Sequence, residues 1–239
     1  MNRRLRTLLP AVLAVPLFLT ACGSEVTDLP AGLGPVALTT DLALPAACDA
    51  ATGAGAYVIG DARSYLANPS YSERKARGCV PYSLADIWKK LQVPTGVDLA
   101  FWPEHTETDC EAWLAADPEY PLSFITKEIP HGGLEKNYPF EVTWRIGVSQ
   151  GTATAPTEVK ILYGKTSGTT MVPKILGSVV LTADPAHPGW TRLDLVRQIN
   201  TGGWSNEPEK LNNWLQAFYD GLQTQMSTGS LTPRYCVLP

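Results

Sequence analysis

The stretch that most constrains the fold runs from Tyr138 to Met226, where an alternating strand pattern leads into one long amphipathic helix. Within 140–149, hydrophobic and polar residues alternate, and a side-chain period of two places each set on one face of a β-sheet. Within 211–226, apolar residues recur at steps of three and four and form one stripe along a helix. The stretch therefore predicts an α+β fold, a curved antiparallel β-sheet gripping a long C-terminal α-helix, with short helices in the N-terminal part. The stripe comprises Leu211, Trp214, Leu215, Phe218, Tyr219, Leu222 and Met226.

The strands of this sheet are predicted from alternation bounded by turn residues. Gly164 to Gly168 is interpreted as a hairpin turn, while Pro173 and Gly177 predict a bend, a bulge or an edge position. Asn206 is the predicted N-cap of the closing helix, with Glu209 three residues later. The predicted strands are 120–128, 139–150, 158–163, 169–182 and 190–201.

The N-terminal half predicts shorter elements. Ser83 is the predicted N-cap of a helix that ends at Leu91, before Pro94. The remaining predictions are a short strand at 57–59, one or two helical turns at 61–66, an exposed strand at 72–77 and a short helix at 111–116.

Composition and charge narrow the classes of partner. The 239 residues are 44% hydrophobic and 18% charged, with a formal net charge of -4. Such a chain can bury one sizeable core. Arg3, Arg4 and Arg6 lie in an N-terminal leader, so a mature chain without them is more acidic still. An acidic protein is a poor non-specific binder of nucleic acid or anionic lipid surfaces, and no nucleic-acid partner is expected.

The leader arginines precede an apolar run, Leu8 to Leu19, which is too short to span a bilayer. The run ends in Leu19-Thr20-Ala21-Cys22, which resembles the cleavage box of bacterial lipoproteins. The resemblance implies a signal peptide at 1–21 and acyl chains, such as palmitate, on Cys22 that anchor the protein to a membrane. An ordinary secretory signal followed by a chance cysteine is the alternative.

The segment 22–47 is poor in charge and predicts a tether between the anchor and a single folded domain at 48–239. Gly23, rather than Asp, follows Cys22. By resemblance to known sorting behaviour, this favours the periplasmic face of the outer membrane as the location of the exported protein.

Four further cysteines would enter an oxidising compartment, which predicts two disulfides with three connectivities open. We favour Cys48–Cys236, which would join the ends of the domain, and Cys79–Cys110, which would close a shorter loop. The alternative, a cysteine metal site, lacks any Cys-x-x-Cys pair, so no metal is expected.

Catalytic signatures are mostly missing. The sequence contains neither a Gly-x-Ser-x-Gly elbow nor a His-Glu-x-x-His zinc helix. His105 and the acidic residues that alternate after it are interpreted as a solvated loop, with a divalent cation site as the alternative. His131 and His187 lie in predicted loops. No cofactor is expected.

Four charged residues lie on the predicted strands and have two interpretations. Cross-strand ion pairs are the first, and buried anchors for a ligand headgroup are the second. These residues are Arg145, Arg192, Asp194 and Arg197.

The element order, short helices followed by antiparallel strands and one long C-terminal helix, resembles the START-like, helix-grip domains of the polyketide cyclase and lipid-transport group. Two stretches carry the resemblance, 80–91 and 144–223. Tyr71 to Cys79 departs from it, because this segment is more polar than the family's first strand. The resemblance implies a cavity between the sheet and the last helix that takes an apolar ligand. Candidate lining residues are Trp144, Ile146, Tyr163, Met171, Ile175, Trp214, Phe218 and Leu222, which could alternatively be plain core.

The first functional hypothesis is therefore a cell-envelope lipoprotein, bound to its membrane through the lipid anchor, that binds a hydrophobic small molecule or lipid without catalysis. A cyclase- or hydrolase-like enzyme is the second, and it would need a polar pair such as Arg145 with Asp194, or His131 with a carboxylate. A structural or interaction lipoprotein with a filled core is the third.

Overall fold

The computed structural model describes residues 26–28, 35–66, 70–94, 96–102, 106–115, 118–130, 138–203, 206–229 and 234–237. The predicted signal peptide, the predicted lipidation site at Cys22, and His105 and His131 lie outside these described residues. None of the helices within the described ranges combines the length and hydropathy that a bilayer-spanning segment needs.

Strands dominate the described chain, and its three helices are unequal in length. The strands are β1 Val26–Asp28, β2 Pro35–Ala37, β3 Ala56–Ile59, β4 Arg63–Tyr65, β5 Tyr71–Val80, β6 Gln92–Val93, β7 Gly96–Asp98, β8 Thr106–Trp113, β9 Leu122–Pro130, β10 Phe140–Gly151, β11 Pro156–Gly168, β12 Lys174–Ala183, β13 Thr191–Asn200 and β14 Tyr235–Val237. The helices are α1 Ala46–Asp49, α2 Leu84–Leu91 and α3 Glu207–Thr228.

One large antiparallel sheet organises the molecule, with the strand order β3-β5-β13-β12-β11-β10-β9-β8 and β4 paired beside β5. Register shifts within β10 and β8 insert bulges, which bend the strands concerned. Helix α3 packs against β3, β5 and β13. The predicted fold class, an antiparallel sheet with a long C-terminal helix, is confirmed.

The two faces of the sheet have different coverings. On β13, Leu193, Leu195 and Ile199 belong to the same core as α3, and this face is called the inner face. Val196 points the opposite way and belongs to a second cluster on the outer face. Because side chains alternate along a strand, each residue's parity decides which environment it meets.

Both helix starts follow the predicted capping chemistry. The Ser83 side chain accepts a hydrogen bond from the backbone N–H of Asp86, and the Asn206 side chain accepts one from Glu209. Gly229 ends α3 in the left-handed conformation that favours glycine. The apolar stripe from Leu211 to Leu222 is buried, so the predicted helix and its buried side are confirmed.

Part of the segment predicted as a tether is folded. Val36 and Leu38 are buried on the outer face in one cluster with Leu162, Val180 and other apolar residues. The Ser178 hydroxyl donates to the Ala37 carbonyl at 2.5 Å. The chain that precedes α1 therefore covers the outer face of the sheet from β2 onward.

The predicted disulfide pairing is wrong. The structure pairs Cys48 with Cys79, at a Cα–Cα distance of 5.6 Å, and Cys110 with Cys236, at 5.2 Å. Cys79 lies opposite Ala56 in the β3–β5 ladder, and α1 brings Cys48 to the same place, since its sulfur lies 3.4 Å from the Ala56 carbonyl. Strand β14 delivers Cys236 beside β8. The packing of α1 against β5 and of β14 against β8 decided the two pairs, and loop length carries no information about either contact.

Several local predictions are also corrected. Residues 164–168 continue β11 instead of turning, and the turn lies at 169–173, so Pro173 precedes β12 rather than interrupting it. The predicted helical turns at 61–66 contain β4, and the helix predicted at 111–116 begins inside β8. The polar segment 72–77 is an internal strand, β5, paired with β3 and β4 on one side and β13 on the other.

Candidate ligand site between the sheet and the closing helix

A continuous set of aromatic rings lies between the inner face and α3. Trp144 of β10 stacks on Tyr163 of β11 with ring centroids 4.7 Å apart, and Tyr163 contacts Trp214 of α3 at 5.3 Å. Trp214 stacks in turn on Phe218 at 5.7 Å. These rings connect two sheet strands to the helix, and together with Phe101, Trp102 and Phe124 we call them the aromatic cluster.

Two residues of the connection between β7 and β8, Phe101 and Trp102, complete this cluster. Trp102 lies 4.7 Å from Trp144 and 5.8 Å from Phe218, and Phe101 meets the edge of Phe218 at 5.9 Å. Sequence reasoning missed both Phe101 and Trp102, because they belong to no periodic pattern. The available signal was two adjacent large aromatic residues in a segment without strand or helix periodicity.

Tyr163 is the fully buried centre of the cluster, with none of its surface exposed. Its register partner on β12 is Gly177, whose missing side chain leaves space for the tyrosine ring. The Tyr163 hydroxyl accepts a hydrogen bond from Arg197 Nη1 at 3.1 Å. Burial raises the pKa of Tyr163, while the charge and hydrogen bond of Arg197 act in the opposite direction. The phenol is therefore held neutral.

Arg197 brings a positive charge to the edge of this apolar interior. Its guanidinium carbon lies 4.4 Å from the ring centroid of Trp214 and 5.4 Å from that of Tyr163, within the range of cation–π attraction. The side chain is half-buried, and no carboxylate of the described residues lies within ion-pair distance of it. The cation is held by aromatic faces and a neutral hydroxyl instead.

Of the other charged residues of β13, Asp194 confirms the cross-strand ion-pair interpretation, and Arg192 pairs with a residue just after β12. Asp194 lies opposite Arg77 in the β5–β13 ladder, and Arg77 Nε contacts its carboxylate at 2.7 Å. Arg192 reaches Asp184 at 3.1 Å. Both side chains leave the strand on the outer face, whereas Arg197 has the parity of the inner face. On β13, therefore, Arg192 and Asp194 make ion pairs on the outer face, whereas Arg197 on the inner face makes no ion pair within the described residues.

The hypothetical catalytic pair of Arg145 with Asp194 is wrong. Arg145 lies opposite Leu162, a residue of the outer-face cluster, and Asp194 is also on the outer face. Strands β11 and β12 separate β10 from β13, a separation of about 14 Å at the usual strand spacing. The two side chains neither meet nor face the aromatic cluster.

Seven of the eight predicted lining residues are buried in one core, four on the inner face of the sheet and three on α3. Met171 differs, because it lies half-buried in the turn before β12. The buried seven are Trp144, Ile146, Tyr163, Ile175, Trp214, Phe218 and Leu222.

Two further polar groups lie on the inner face. Thr126 accepts the Trp144 indole N–H at 2.9 Å and donates to Glu128. Lys165, two residues after Tyr163, is half-buried, and this burial lowers its pKa.

His187, the one histidine of the described ranges, lies beside Asp184 in the loop between β12 and β13. Within the described ranges no cluster of acidic, histidine and cysteine side chains could hold a metal ion.

No protein-family model and no curated protein matches the sequence. Solved structures resemble the chain at low identity. The lipid transfer and protein localization domain of human StarD13 has a TM-score of 0.42 and 11% identity, covering 70% of this chain and 87% of that one. A conserved protein from Geobacillus kaustophilus has a TM-score of 0.43 and 10% identity, covering 68% and 98%. The Zhui aromatase/cyclase from a Streptomyces species has a TM-score of 0.39 and 12% identity, covering 68% of this chain and 99% of that one. Similarity at this level says nothing about activity.

Proposed function

We propose that the protein is a lipid-anchored component of the bacterial cell envelope that binds an apolar small molecule between the inner face of its sheet and α3, without catalysis. The observation that carries the proposal is the aromatic cluster with Arg197 at its edge. The anchor is Cys22, and its proposed location is the periplasmic face of the outer membrane.

The composition of the cluster supports ligand binding over packing alone. A core that only has to be filled is served best by Leu, Ile and Val, which carry no polar atoms. Here Trp144, Tyr163 and Trp214 bring polar edges into the interior, and each needs a hydrogen-bond partner when buried. Apolar walls with a few placed polar groups are typical of small-molecule sites. The half-buried Arg197 adds a charge that packing alone does not need.

The positions of the candidate acid–base residues favour binding without catalysis. A general base must come within hydrogen-bond reach of the substrate. Asp194 and Arg145 lie on the outer face, and His187 belongs to a loop beside Asp184. None of these three side chains reaches the aromatic cluster.

Titration with N-phenyl-1-naphthylamine, a neutral apolar dye that fluoresces when it leaves water, tests the binding. The protein without its leader is expected to take up the dye saturably, with about one dye bound per chain. Trp214→Phe should weaken binding, because it replaces the indole that joins Tyr163 to Phe218 by a smaller ring. Native mass spectrometry of protein purified from membranes should detect a stoichiometric apolar ligand.

Trp88→Phe is the matched control. Trp88 is as buried as Trp214, at 3% and 4% exposure, but it lies on α2 and takes no part in the ring contacts of the aromatic cluster. Its replacement should leave dye binding unchanged. Absence of saturable dye uptake by the unmodified protein, with no co-purified ligand, would refute the binding function.

The anchor has an independent test. Cys22→Ser should move the protein from the membrane fraction to the soluble fraction of the cell envelope, because the acylated sulfur is lost. Unchanged membrane retention of this variant would refute lipid anchoring and leave the binding site unaffected.

A further inference from the structure

Two arginines face each other across neighbouring strands on the inner face. Arg74 of β5 lies directly opposite Arg197 of β13 in the antiparallel ladder. Residues in such positions have Cβ atoms about 4.5–5.5 Å apart, and like charges there are destabilising. This juxtaposition is unfavourable by itself, so it needs a compensating interaction.

The protein supplies both arginines with neutral acceptors. Arg74 donates to the Gly60 carbonyl at 2.9 Å, to the Asn212 side chain at 3.0 Å and to the Pro208 carbonyl at 3.2 Å. Arg197 donates to the Tyr163 hydroxyl. In the described part of the chain, neither guanidinium makes an ion pair, whereas Arg77 and Arg192 on the outer face each contact a carboxylate.

The carboxylate at the start of α3 is occupied by neutral donors. Glu207 accepts the Ser72 hydroxyl at 2.7 Å and the Thr201 backbone N–H at 2.7 Å. Ser72 is the inner-face residue two positions before Arg74 on β5. Both carboxylate oxygens of Glu207, the first residue of α3, therefore accept hydrogen bonds from a hydroxyl and a backbone amide.

A third cation, Lys165, shares the face. It lies opposite Val142 of the buried core and two residues after Tyr163 on β11. Strand β11 is separated from β13 by β12 alone, about 10 Å at the usual strand spacing. Burial is the one cause of its lowered pKa, with no contribution from a nearby carboxylate. Arg74, Arg197 and Lys165 thus share the inner face, and none of them makes an ion pair within the described residues.

A partly dehydrated cation is costly unless an anion or strong acceptors meet it. Arginine offers five N–H donors in a planar fork that matches an oxyanion, and stacking on an aromatic ring fixes the direction of that fork. Arg197 is stacked in this way on Trp214. An oxyanion on the bound molecule would neutralise the repulsion between Arg74 and Arg197.

We propose that the ligand is an anionic amphiphile whose oxyanion is bound by Arg197, with Arg74 and Lys165 in support, and whose apolar part contacts the aromatic cluster. This inference rests on the proposed binding function. A carboxylate, a phosphate and a sulfonate share the required chemistry, and the experiment distinguishes between them.

A matched pair of dyes tests the charge. 8-Anilinonaphthalene-1-sulfonate carries the same aromatic skeleton as N-phenyl-1-naphthylamine plus one sulfonate. The sulfonate dye is expected to bind at least tenfold more tightly than the neutral dye. Arg197→Met should weaken its binding about ten- to hundredfold, the usual range for a lost hydrogen bond to a charged group. Binding of the neutral dye should change less than about threefold.

Arg192→Met is the control, because it removes the same formal charge from the same strand on the outer face. It should leave the affinity of both dyes unchanged. Arg197→Lys keeps the charge without the planar fork and should give an intermediate loss. Lys165→Met should give a smaller loss of affinity for the sulfonate dye. This variant also tests the role of the inner-face cations if Arg197→Met fails to fold.

Competition identifies the oxyanion. Dodecanoate and dodecyl phosphate should displace the sulfonate dye at lower concentration than dodecanol, and the better of the two identifies the preferred headgroup. Equal affinity for the two dyes, displacement by dodecanol as strong as by the anions, or equal losses with Arg192→Met and Arg197→Met would each overturn the anion site. In those outcomes the neutral dye still binds. Failure of both dyes to bind would instead refute the proposed function itself.

Discussion

Gly177 offers the sharpest test of how the site is built. It lies opposite Tyr163 in the β11–β12 ladder, and its missing side chain leaves space for the Tyr163 ring. A Cβ at this position would overlap the Cζ and Oη atoms of Tyr163 and would lie 2.7 Å from the Val196 carbonyl oxygen. We predict that Gly177→Ala destabilises the protein, because either the ring or the neighbouring strand must move.

The expected magnitude follows from two opposing effects. Overpacking a well-filled core by one methyl group costs about 1–3 kcal/mol. Replacing glycine by alanine also lowers the entropy of the unfolded chain, which returns about 0.4–1 kcal/mol. The net loss in the free energy of unfolding is therefore about 1–2 kcal/mol, equivalent to a fall in Tm of about 2–8 °C for a domain of this size.

Urea unfolding monitored by tryptophan fluorescence measures the loss, and a double-mutant cycle assigns it to the ring. In a Tyr163→Leu background the overlap with the phenol is gone, so the added methyl group should cost less by about 1 kcal/mol or more. Gly60→Ala is the matched control. Its Cβ would meet the end of the flexible Leu42 side chain, and its effect should stay within about 0.5 kcal/mol.

Additive effects of Gly177→Ala and Tyr163→Leu would contradict the reasoning, since the methyl group would then be excluded by the backbone and not by the ring. So would a Gly177→Ala protein with unchanged stability and unchanged dye binding. Either result would mean that the position of Tyr163 beside Arg197 does not depend on the glycine.

Three further predictions follow from the structure. Replacing Cys48 and Cys79 together by Ala should lower the free energy of unfolding by about 3–4 kcal/mol, the value that the chain-entropy model gives for a sequence separation of 31. Peptide mapping without reduction should recover this pair and not Cys48 with Cys236. Burial raises the pKa of Asp98, with the Ala100 N–H acting against it. The native state therefore holds this proton at a pH where the unfolded chain has lost it, and stability should fall as pH rises from the ordinary carboxyl pKa through the raised one. Asp98→Asn should flatten that decline in urea titrations carried out at increasing pH above the ordinary carboxyl pKa. Val36→Asp should detach β2 from the outer face and expose this segment to limited proteolysis while α3 stays protected, and an unchanged cleavage pattern would argue against its docking.

Local periodicity and capping chemistry predicted α3 well. Its apolar stripe needs only the spacing of Leu211, Trp214 and Phe218, because a helix places residues three and four apart on one side whatever surrounds it. The N-caps Ser83 and Asn206 are equally local, since each serves backbone groups three residues away. These features of the fold were predictable from short stretches of sequence.

Strand β5 shows where local pattern misleads. Its run of polar residues predicts an exposed strand, yet β5 is internal. Arg77 is matched by Asp194 on β13, and Glu73 accepts the side-chain amide of Gln198. A polar strand becomes internal when its neighbours supply partners, and those partners lie more than a hundred residues away.

The amino-acid sequence by itself determined the fold class, through the order of its elements. It also determined the N-caps of α2 and α3 and the side of α3 that is buried, since each of these depends on residues within a few positions of one another. The tertiary structure alone decided the disulfide pairs, the addition of Phe101 and Trp102 to the aromatic cluster, and the different surroundings of Asp194 and Arg197 on one strand. Strand order and register bring together residues that are distant in the chain. A shift of one residue along a strand exchanges its two faces, so register decides whether a charge meets an ion-pair partner or a tryptophan ring.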